Sequence, residues 1–311
     1  MSTILHKIQT FWNTPRIMMI KFVSSPLYRF LPDKLALEIR FKNVFHRPLN
    51  LDNPKTFNEK LQWLKLYDRK PEYTDMVDKF AAKNYAANII GEEHIIPTLG
   101  VFNTFDEIDF NQLPNQFVLK CTHGSGDVVI CKDKNKFDKN MAKEKLIKAL
   151  RTNYYLIARE WPYKNVKPRI IAEKLLSEHN NQNYDNNNEI VDYKFYCFNG
   201  QAKCIGCHFN RFTNHTANYY DLLCNRLDIT RIGCPTNESE KIIYSNNIKL
   251  MKDFSEQLSS GIPFLRTDFY NINGNIYFGE LTFYPSGGFG RFTNDKVDYQ
   301  LGEWLQLPIG K

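Results

Sequence analysis

The sequence lacks the features of several common protein classes. It has no run of about 18 consecutive apolar residues, which a membrane-spanning helix needs. It has neither a Gly-x-Ser-x-Gly nucleophile elbow nor a Gly-Lys-Ser/Thr phosphate loop, so serine hydrolases and P-loop nucleotide-binding proteins are not indicated. It also has no Asp-x-Asp motif, which a metal-dependent sugar-nucleotide transferase would be expected to carry.

Acidic residues are scarce in the first 47 residues, which hold eight Lys/Arg residues against Asp33 and Glu38. The formal net charge is +7, so the rest of the chain is nearly balanced. This balance, with no recognition motif, argues against nucleic acid as a partner. Residues 1–47 are predicted to be helical and basic, and they either contact an anionic membrane surface or cover a neighbouring lobe.

Seven cysteines, an odd number, and no secretory signal predict reduced thiols and a cytoplasmic protein. The stretch Cys204-Ile-Gly-Cys207-His208 matches the c-type haem attachment motif, but it lies within a predicted strand. A zinc site from Cys204, Cys207, His208 and one of Cys224 or Cys234 is an alternative. We expect ordinary core residues at these positions.

The stretch from Arg266 to Gly288 predicts a β-hairpin, because the turn signal Asn273-Gly274 separates two short apolar runs. Arg266 and Asp268 have the i, i+2 spacing that points both side chains to one face, and Glu280 and Thr282 repeat it. Two carboxylates near one cation could bind magnesium together with the phosphates of a nucleotide. A surface hairpin with a cross-strand ion pair is the alternative.

A second informative stretch runs from Phe117 to Lys132. An apolar strand ends near Lys120, a short loop with two glycines follows, and a second apolar strand returns. Glycines let backbone amides approach phosphate oxygens, and the lysine supplies a positive charge. This strand-loop-strand flap therefore predicts phosphate binding, although it is also compatible with a simple turn. The loop residues are His123, Gly124, Ser125 and Gly126.

Helices are predicted at four further places. Thr56 and Glu59 form a capping box ahead of an apolar face, so a helix begins there. The others are predicted over residues 73–90, 138–160 and 238–259.

A second hairpin is predicted over residues 191–209, with Asn199-Gly200 as its turn and with Asp192 and Lys194 on one face. Upstream of it, Glu173 lies where an apolar strand breaks. Residues 210–226 form an irregular polar run, which suits a polar substrate or a surface loop. Its candidate substrate-binding side chains are Arg211, Asn214 and His215.

Five ordered blocks resemble the TupA-like ATP-grasp family, the subgroup of ATP-grasp proteins named for teichuronopeptide biosynthesis. The blocks are Pro54-Lys-Thr-Phe-Asn-Glu-Lys-Leu-Gln-Trp63, Asn115-Gln-Phe-Val-Leu-Lys-Cys-Thr-His-Gly-Ser-Gly126, Arg159-Glu-Trp-Pro-Tyr-Lys164, Asp192-Tyr-Lys-Phe-Tyr-Cys-Phe-Asn-Gly200 and Gly279-Glu-Leu-Thr-Phe-Tyr-Pro285. The resemblance implies an α+β fold in which two lobes hold ATP between them, preceded by a basic helical segment. The implied divisions are 1–52 (basic segment), 53–114 (N-terminal lobe), 115–172 (flap subdomain) and 173–311 (C-terminal lobe with the metal site).

The same resemblance implies roles toward ATP. Lys120 would contact the α- and β-phosphates, and the flap loop from His123 to Gly126 would close over the triphosphate. Glu173 and its neighbours' backbone would meet adenine and ribose. Lys194 and Arg266 would neutralise phosphate charge during catalysis.

The metal positions are also implied by the resemblance. Asp268 and Glu280, which are predicted to be catalytic together with Lys194 and Arg266, would bind Mg²⁺. The fold usually places Asn two residues after the metal-binding glutamate, and here that residue is Thr282, a weaker ligand. The tentative substrate contacts are Arg211, Asn214, His215, Ser286 and Gly287.

The implied activity is an ATP-dependent carboxylate–amine ligase that forms an amide through an acylphosphate. Its carboxylate would be a uronic acid of a surface polysaccharide or its precursor, and its amine an amino acid or a small amine. A glycosyltransferase of the same pathway and a non-catalytic nucleotide-binding module are the alternatives.

Overall fold

The computed structural model describes residues 26–176, 190–211 and 213–309. Within these ranges, no helix combines the length and the apolar character that a membrane crossing requires. The α-helices described there are α1 (Asp33–Phe45), α2 (Phe57–Tyr67), α3 (Tyr73–Val77), α4 (Ala81–Ile90), α5 (Lys139–Leu150), α6 (Tyr155–Ala158), α7 (Asn246–Leu258) and α8 (Asp295–Trp304).

The strands form two antiparallel sheets. A small sheet has four strands in the order β1-β4-β2-β3, and a large sheet has six in the order β10-β9-β5-β6-β7-β8. The strands are β1 (Thr98–Phe102), β2 (Phe117–Cys121), β3 (Val129–Cys131), β4 (Ile170–Lys174), β5 (Asp192–Phe198), β6 (Gln201–Phe209), β7 (Thr216–Tyr220), β8 (Arg226–Leu227), β9 (Phe264–Ile272) and β10 (Asn275–Thr282).

Each sheet has its own hydrophobic core. In the small sheet, Phe117 and Leu119 of β2 pack with Leu146 of α5. In the large sheet, Phe195 and Phe269 are fully buried in a cluster that also includes side chains of α2, α4, α7 and α8. Burial of apolar surface is the main stabilising contribution to folding, so the two cores define two lobes.

Helix α2 begins at the predicted capping box. The Thr56 side chain accepts a hydrogen bond from the Glu59 backbone N–H, and the Glu59 carboxylate accepts one from the Thr56 N–H at 3.0 Å. At the next turn, Lys60 Nζ donates to the carbonyls of Gly302 and Leu305, at 2.8 and 2.7 Å. The cap thus fixes the start of a helix that is tied to the C-terminal end of α8.

Three helix predictions are longer than the observed helices. The 73–90 prediction is interrupted after α3, because Asp78 Oδ1 accepts from the N–H groups of Phe80 and Ala81, at 2.8 and 3.1 Å, and starts α4 anew. Side-chain acceptors of this kind compete with helix continuation. The 138–160 prediction is divided into α5 and α6, and the 238–259 prediction shrinks to α7, whose N-cap is Ser245.

The polar run at 210–226 is not wholly irregular, because residues 216–220 form the buried strand β7. Asn218 is fully buried there and its side-chain amide donates to the carbonyls of Asn237 and Glu240, at 2.6 and 2.8 Å. A buried amide with satisfied hydrogen bonds is compatible with a core strand. The prediction of an irregular run, made from composition alone, was therefore wrong for residues 216–220.

The tip of β10 contacts the connection that leads from α4 to the small sheet. His94 Nδ1 lies 2.9 Å from the carbonyl oxygen of Ile276, and Ile95 forms a parallel bridge with Phe278. One strand of the large sheet is thereby joined to the segment that enters β1.

The predicted division of the chain stays a prediction. The small sheet includes β1, which precedes the expected boundary at residue 114, and β4, which crosses the one at 172. Residues 1–25 of the predicted basic segment lie outside the described residues, whereas α1 is described.

Candidate active site

The C-terminal hairpin is present as predicted. Its turn residues Asn273 and Gly274 have positive φ, 51° and 79°, as a tight hairpin turn requires. A β-bulge at Gly279 changes the register, so that Asp268 lies opposite Glu280. Directly opposed residues of antiparallel strands point to one face. The four side chains on that face are Arg266, Asp268, Glu280 and Thr282.

These side chains form a connected network of charges with β5. Arg266 binds both carboxylate oxygens of Asp268, each at 2.6 Å, and donates to Glu280 Oε1 at 2.8 Å. Lys194 lies opposite Asp268 on β5 and forms ion pairs with Asp268 and with Asp192, the latter at 2.7 Å. The structure therefore brings together all four residues predicted to be catalytic.

The charged network gives the two acidic residues of the hairpin different pKa values. Burial raises the pKa of Glu280, but the charges of Arg266, Lys194 and Lys79 outweigh this effect and lower it to about 2. Burial raises the pKa of Asp268 to about 6, against the opposing effect of Arg266 and Lys194. Glu280 therefore has the lower pKa of the two acids and is ionised at neutral pH.

The oxygen donors fit Mg²⁺, which prefers carboxylates. Glu280 uses Oε1 for Arg266, and Asp192 Oδ1 is buried with no hydrogen-bond partner among the described residues. Both Asp268 oxygens already accept hydrogen bonds from cations, so a metal at Asp268 would require a cation to shift. The Thr282 hydroxyl lies 3.4 Å from Glu280 Oε1, next to the carboxylate that is predicted to bind the metal.

A second charged group lies on the small sheet. Glu173 is buried, and its two oxygens each bind one lysine at 2.6 Å, Lys83 of α4 and Lys120 of β2. Lys83 also donates to the Ile96 carbonyl and the Thr98 hydroxyl, at 2.7 and 3.1 Å. The role of Glu173 toward adenine stays a prediction, since its carboxylate serves both lysines here. Lys83 was missed because nothing distinguishes a lone lysine on an amphipathic helix.

The flap loop connects β2 and β3. Lys79 donates a hydrogen bond to the carbonyl of Gly124, and the Tyr154 ring lies against the same glycine. His123 Nε2 lies 3.2 Å from the Ala149 carbonyl, and burial lowers the pKa of this imidazole. A neutral histidine bound to α5 has a structural contact, and its predicted role toward phosphate stays untested.

The stretch from Tyr154 to Tyr163 also reaches the charged face. The two tyrosine rings pack edge to face with centroids 4.7 Å apart. Burial, with the negative charges of Glu160 and Glu280, raises the pKa of both phenols. This stretch therefore lies between the flap loop and β10. Glu160, itself buried, belongs to the site and was not singled out beforehand.

Comparison with known families shows which family this chain belongs to. A profile described as TupA-like ATPgrasp matches residues 59–306, which is most of the chain. This chain belongs to the TupA-like ATP-grasp family. The predicted family and the α+β ATP-grasp fold are both confirmed. Among curated proteins, none matches the sequence.

Several solved structures resemble this ATP-grasp protein at low identity. The D-alanine–D-alanine ligase of Bacillus anthracis complexed with ATP is 14% identical, with a TM-score of 0.36, and the match covers 67% of this chain and 53% of that one. For the Helicobacter pylori D-alanine–D-alanine ligase the values are 17%, 0.43, 83% and 68%. For the ATP-grasp ligase PsnB complexed with a precursor variant, Mg and ADP they are 12%, 0.38, 73% and 58%. The chain spans about half the length of the first of these.

The residues predicted to contact the substrate of this ATP-grasp protein lie at separate positions in the structure. Arg211 forms an ion pair with Asp192, next to Lys194, so it joins the charged network. Asn214 is exposed. The Ser286 hydroxyl accepts a hydrogen bond from Arg231. Gly287 lies in the turn after β10 and is approached by Glu160.

The zinc alternative is wrong as formulated. Cys204 pairs with Tyr196 and Cys207 with Tyr193, so the two thiols lie on opposite faces of β6. His208 instead lies 2.8 Å from His215 across the loop, with Cys234 Sγ 3.7 Å from His215 Nε2. Burial, then the charges of nearby lysine and arginine residues, lowers the pKa of both histidines. These cations also oppose a divalent metal at this cluster.

Proposed function

We propose that this protein is an ATP-dependent carboxylate–amine ligase that uses Mg²⁺. The observation that supports this most is that charged side chains from both lobes act on one another. Lys79, which contacts the flap loop, lowers the pKa of Glu280, while Lys120 and Asp127 act on Lys79. Cations beside the flap loop, together with carboxylates and cations on the large sheet, suit a nucleoside triphosphate with its metal.

In the proposed reaction, the substrate carboxylate attacks the γ-phosphate of ATP and forms an acylphosphate, with ADP leaving. Bound Mg²⁺ would neutralise charge on the phosphates. Glu280 and Asp268 would hold the metal. Lys194 and Arg266, which form ion pairs with Asp268 here, would stabilise the charge that spreads over the transferring group once the metal has displaced one of them from Asp268. Lys120 would hold the phosphates from the flap side.

The proposed substrates are a uronic acid of a surface polysaccharide, or its precursor, and an amino acid or a small amine. The support is family membership together with the cationic side chains of the charged network. Arg211 lies beside the network with its side chain 45% exposed, so its guanidinium is accessible to a carboxylate. A carboxylate at this position would face the phosphate-transfer side chains of β5 and β9.

The test is a screen of uronic acids, free and as nucleotide sugars, for ADP formation in the presence of hydroxylamine, which traps acylphosphates as hydroxamates. The expected result is ADP and hydroxamate formation that require ATP, Mg²⁺ and one uronic acid. ADP formation at the same rate with and without each carboxylate would contradict the proposal. Transfer of the sugar itself, with release of a nucleotide diphosphate, would support a glycosyltransferase instead. Binding of ATP without any turnover would support a non-catalytic module.

The basic N-terminal segment is proposed to contact anionic membrane surfaces, where lipid-linked saccharides are held. The charge of residues 1–47 supports this role. Vesicles containing phosphatidylserine should sediment the full chain and not a variant without residues 1–47. Equal sedimentation of both proteins would remove the proposal.

A further inference from the structure

Glu160 is a buried carboxylate without a direct cationic partner. Only 6% of the residue is exposed, and no lysine or arginine of the described residues forms an ion pair with it. Burial raises its pKa to about 7, which the charges of Lys65 and Arg40 oppose. Unpaired buried carboxylates are destabilising and are concentrated at functional sites.

Lys65 is the cation that acts most strongly on Glu160, but the N–H donors of its ammonium group already form hydrogen bonds to other groups. Its Nζ donates to Gln62 Oε1 at 2.9 Å, to the Ala158 carbonyl at 2.8 Å and to the Gly287 carbonyl at 2.6 Å. An ammonium group has three N–H donors, so none remains for Glu160. Lys65 therefore fixes the backbone on either side of Glu160 and leaves the carboxylate itself free to bind another group.

Gly287 packs tightly beside this carboxylate and against α6. It has φ +62°, and a Cβ there would lie 2.6 Å from Ala158 Cβ and 3.5 Å from Glu160 Oε1. The turn that contains it, Pro285–Gly288, begins three residues after Thr282, the last residue of β10. The Glu160 carboxylate thus lies beside the turn that follows the strand carrying Glu280.

Several groups on neighbouring elements act electrostatically on Glu160. Glu280 raises the pKa of Glu160, whereas Arg266, Arg40 of α1 and Lys65 of α2 lower it. The titratable and charged groups that act on it are Arg40, Lys65, Tyr154, Tyr163, Arg266, Glu280 and Tyr284.

We propose that Glu160 is the general base that accepts a proton from the attacking amine. This inference rests on the proposed ligase function. One proton passes from the substrate ammonium to the Glu160 carboxylate, which gives a neutral amine. The amine nitrogen forms a bond to the acyl carbon, and the bond from that carbon to the phosphate oxygen breaks. Phosphate leaves with the electron pair, a second proton of the nitrogen ends on it, and Glu160 returns its own proton to water.

The experiment compares Glu160→Gln with the wild-type enzyme and two nucleophiles. Hydroxylamine is largely unprotonated at neutral pH and does not need a base, whereas glycine is protonated. Both are supplied with ATP, Mg²⁺ and the uronic acid that gives hydroxamate with the wild-type enzyme. General bases contribute about 100-fold or more, so amide formation with glycine should fall by at least that factor in the variant. Hydroxamate formation should stay within about threefold.

Four outcomes separate the possibilities. Selective loss of the glycine product supports the proposal. Equal loss of both products shows that Glu160 only positions the site and overturns it, and unchanged rates with both nucleophiles also overturn it. A wild-type enzyme that makes no hydroxamate from any uronic acid refutes the proposed function, and this inference with it. Glu144→Gln, on the exposed face of α5, is the matched control, and thermal unfolding with Mg-ATP binding checks that each variant is folded.

Discussion

Replacing Lys83 and Lys120 one at a time with methionine should separate a structural lysine from a ligand-binding one. Both bind Glu173 at 2.6 Å, one on each carboxylate oxygen. Lys83 also donates to the Ile96 carbonyl and the Thr98 hydroxyl, and its side chain is 8% exposed. Lys120 is 15% exposed and lies where the flap loop begins. The same carboxylate thus holds two cations in different surroundings.

The expected magnitudes follow from these contacts. Lys83→Met leaves the buried Ile96 carbonyl without its donor and leaves Glu173 half-paired, so the free energy of unfolding should fall by about 3–5 kcal/mol. Lys120→Met leaves Glu173 paired with Lys83, so the free energy of unfolding should fall by only about 2 kcal/mol. In contrast, the Kd for Mg-ATP should rise at least about tenfold in Lys120→Met, since about 1.4 kcal/mol of binding energy is lost with one phosphate contact.

Urea unfolding followed by circular dichroism measures the first effect, and titration calorimetry with Mg-ATP measures the second. Lys143→Met is the control, because Lys143 forms an exposed ion pair with Asp106 at 2.6 Å and should change the stability by less than about 1 kcal/mol. The reasoning is refuted if Lys120→Met destabilises the fold as much as Lys83→Met while ATP binding is unchanged.

Three further changes have defined expectations. Glu280→Gln should abolish Mg²⁺-dependent ADP formation while the protein stays folded, because Arg266 keeps both bonds to Asp268; stability and turnover are measured on the same preparation. Gly287→Ala should lower the melting temperature, because the new methyl group would lie 2.6 Å from the Ala158 side chain in a backbone conformation at φ +62°. Asp298→Asn should stabilise the protein at pH 7 but not at pH 4, because burial raises the Asp298 pKa to about 6. The stabilising proton is bound below the unfolded-state pKa and is lost as the pH rises through 6.

Each of these has an outcome that contradicts it. Retained turnover in Glu280→Gln would exclude this carboxylate as a metal ligand. A melting temperature unchanged in Gly287→Ala would show that the turn can move away from α6. For Asp298→Asn, a larger stabilisation at pH 4 than at pH 7 would mean that the wild-type carboxyl is held ionised by Asn58, which donates to it from both backbone and side chain.

The sequence predicted those parts of the site that have a local signal. The turn Asn273-Gly274 and the i, i+2 spacings identified the hairpin and the faces of its strands. It did not predict the bulge, because a continuous ladder from the turn would place Gly279, not Glu280, opposite Asp268. Glu160 and Lys83 were missed for a different reason. Each acts through contacts with segments far away in sequence, and such contacts leave no periodic pattern.

Composition misled the prediction where polar side chains are buried. Asn218 in β7 resembles a loop residue in the sequence, yet its amide finds two carbonyl acceptors in the fold. Asp78 had the opposite effect, since it interrupts what looked like a single helix by binding the backbone ahead of it. In both cases a side chain of ordinary type is given its role by partners that only the tertiary structure supplies.

The bulge at Gly279 divides β10 into two halves that are attached to different parts of the structure. The half near the turn is attached to the connector before β1 through His94 and Ile95, and the other half carries Glu280 and stays on β9. A bulge bends more readily than a regular ladder. A displacement of the small sheet would therefore pull on β10 two residues from Glu280, and the strand would change the position of the carboxylate that is proposed to bind the metal.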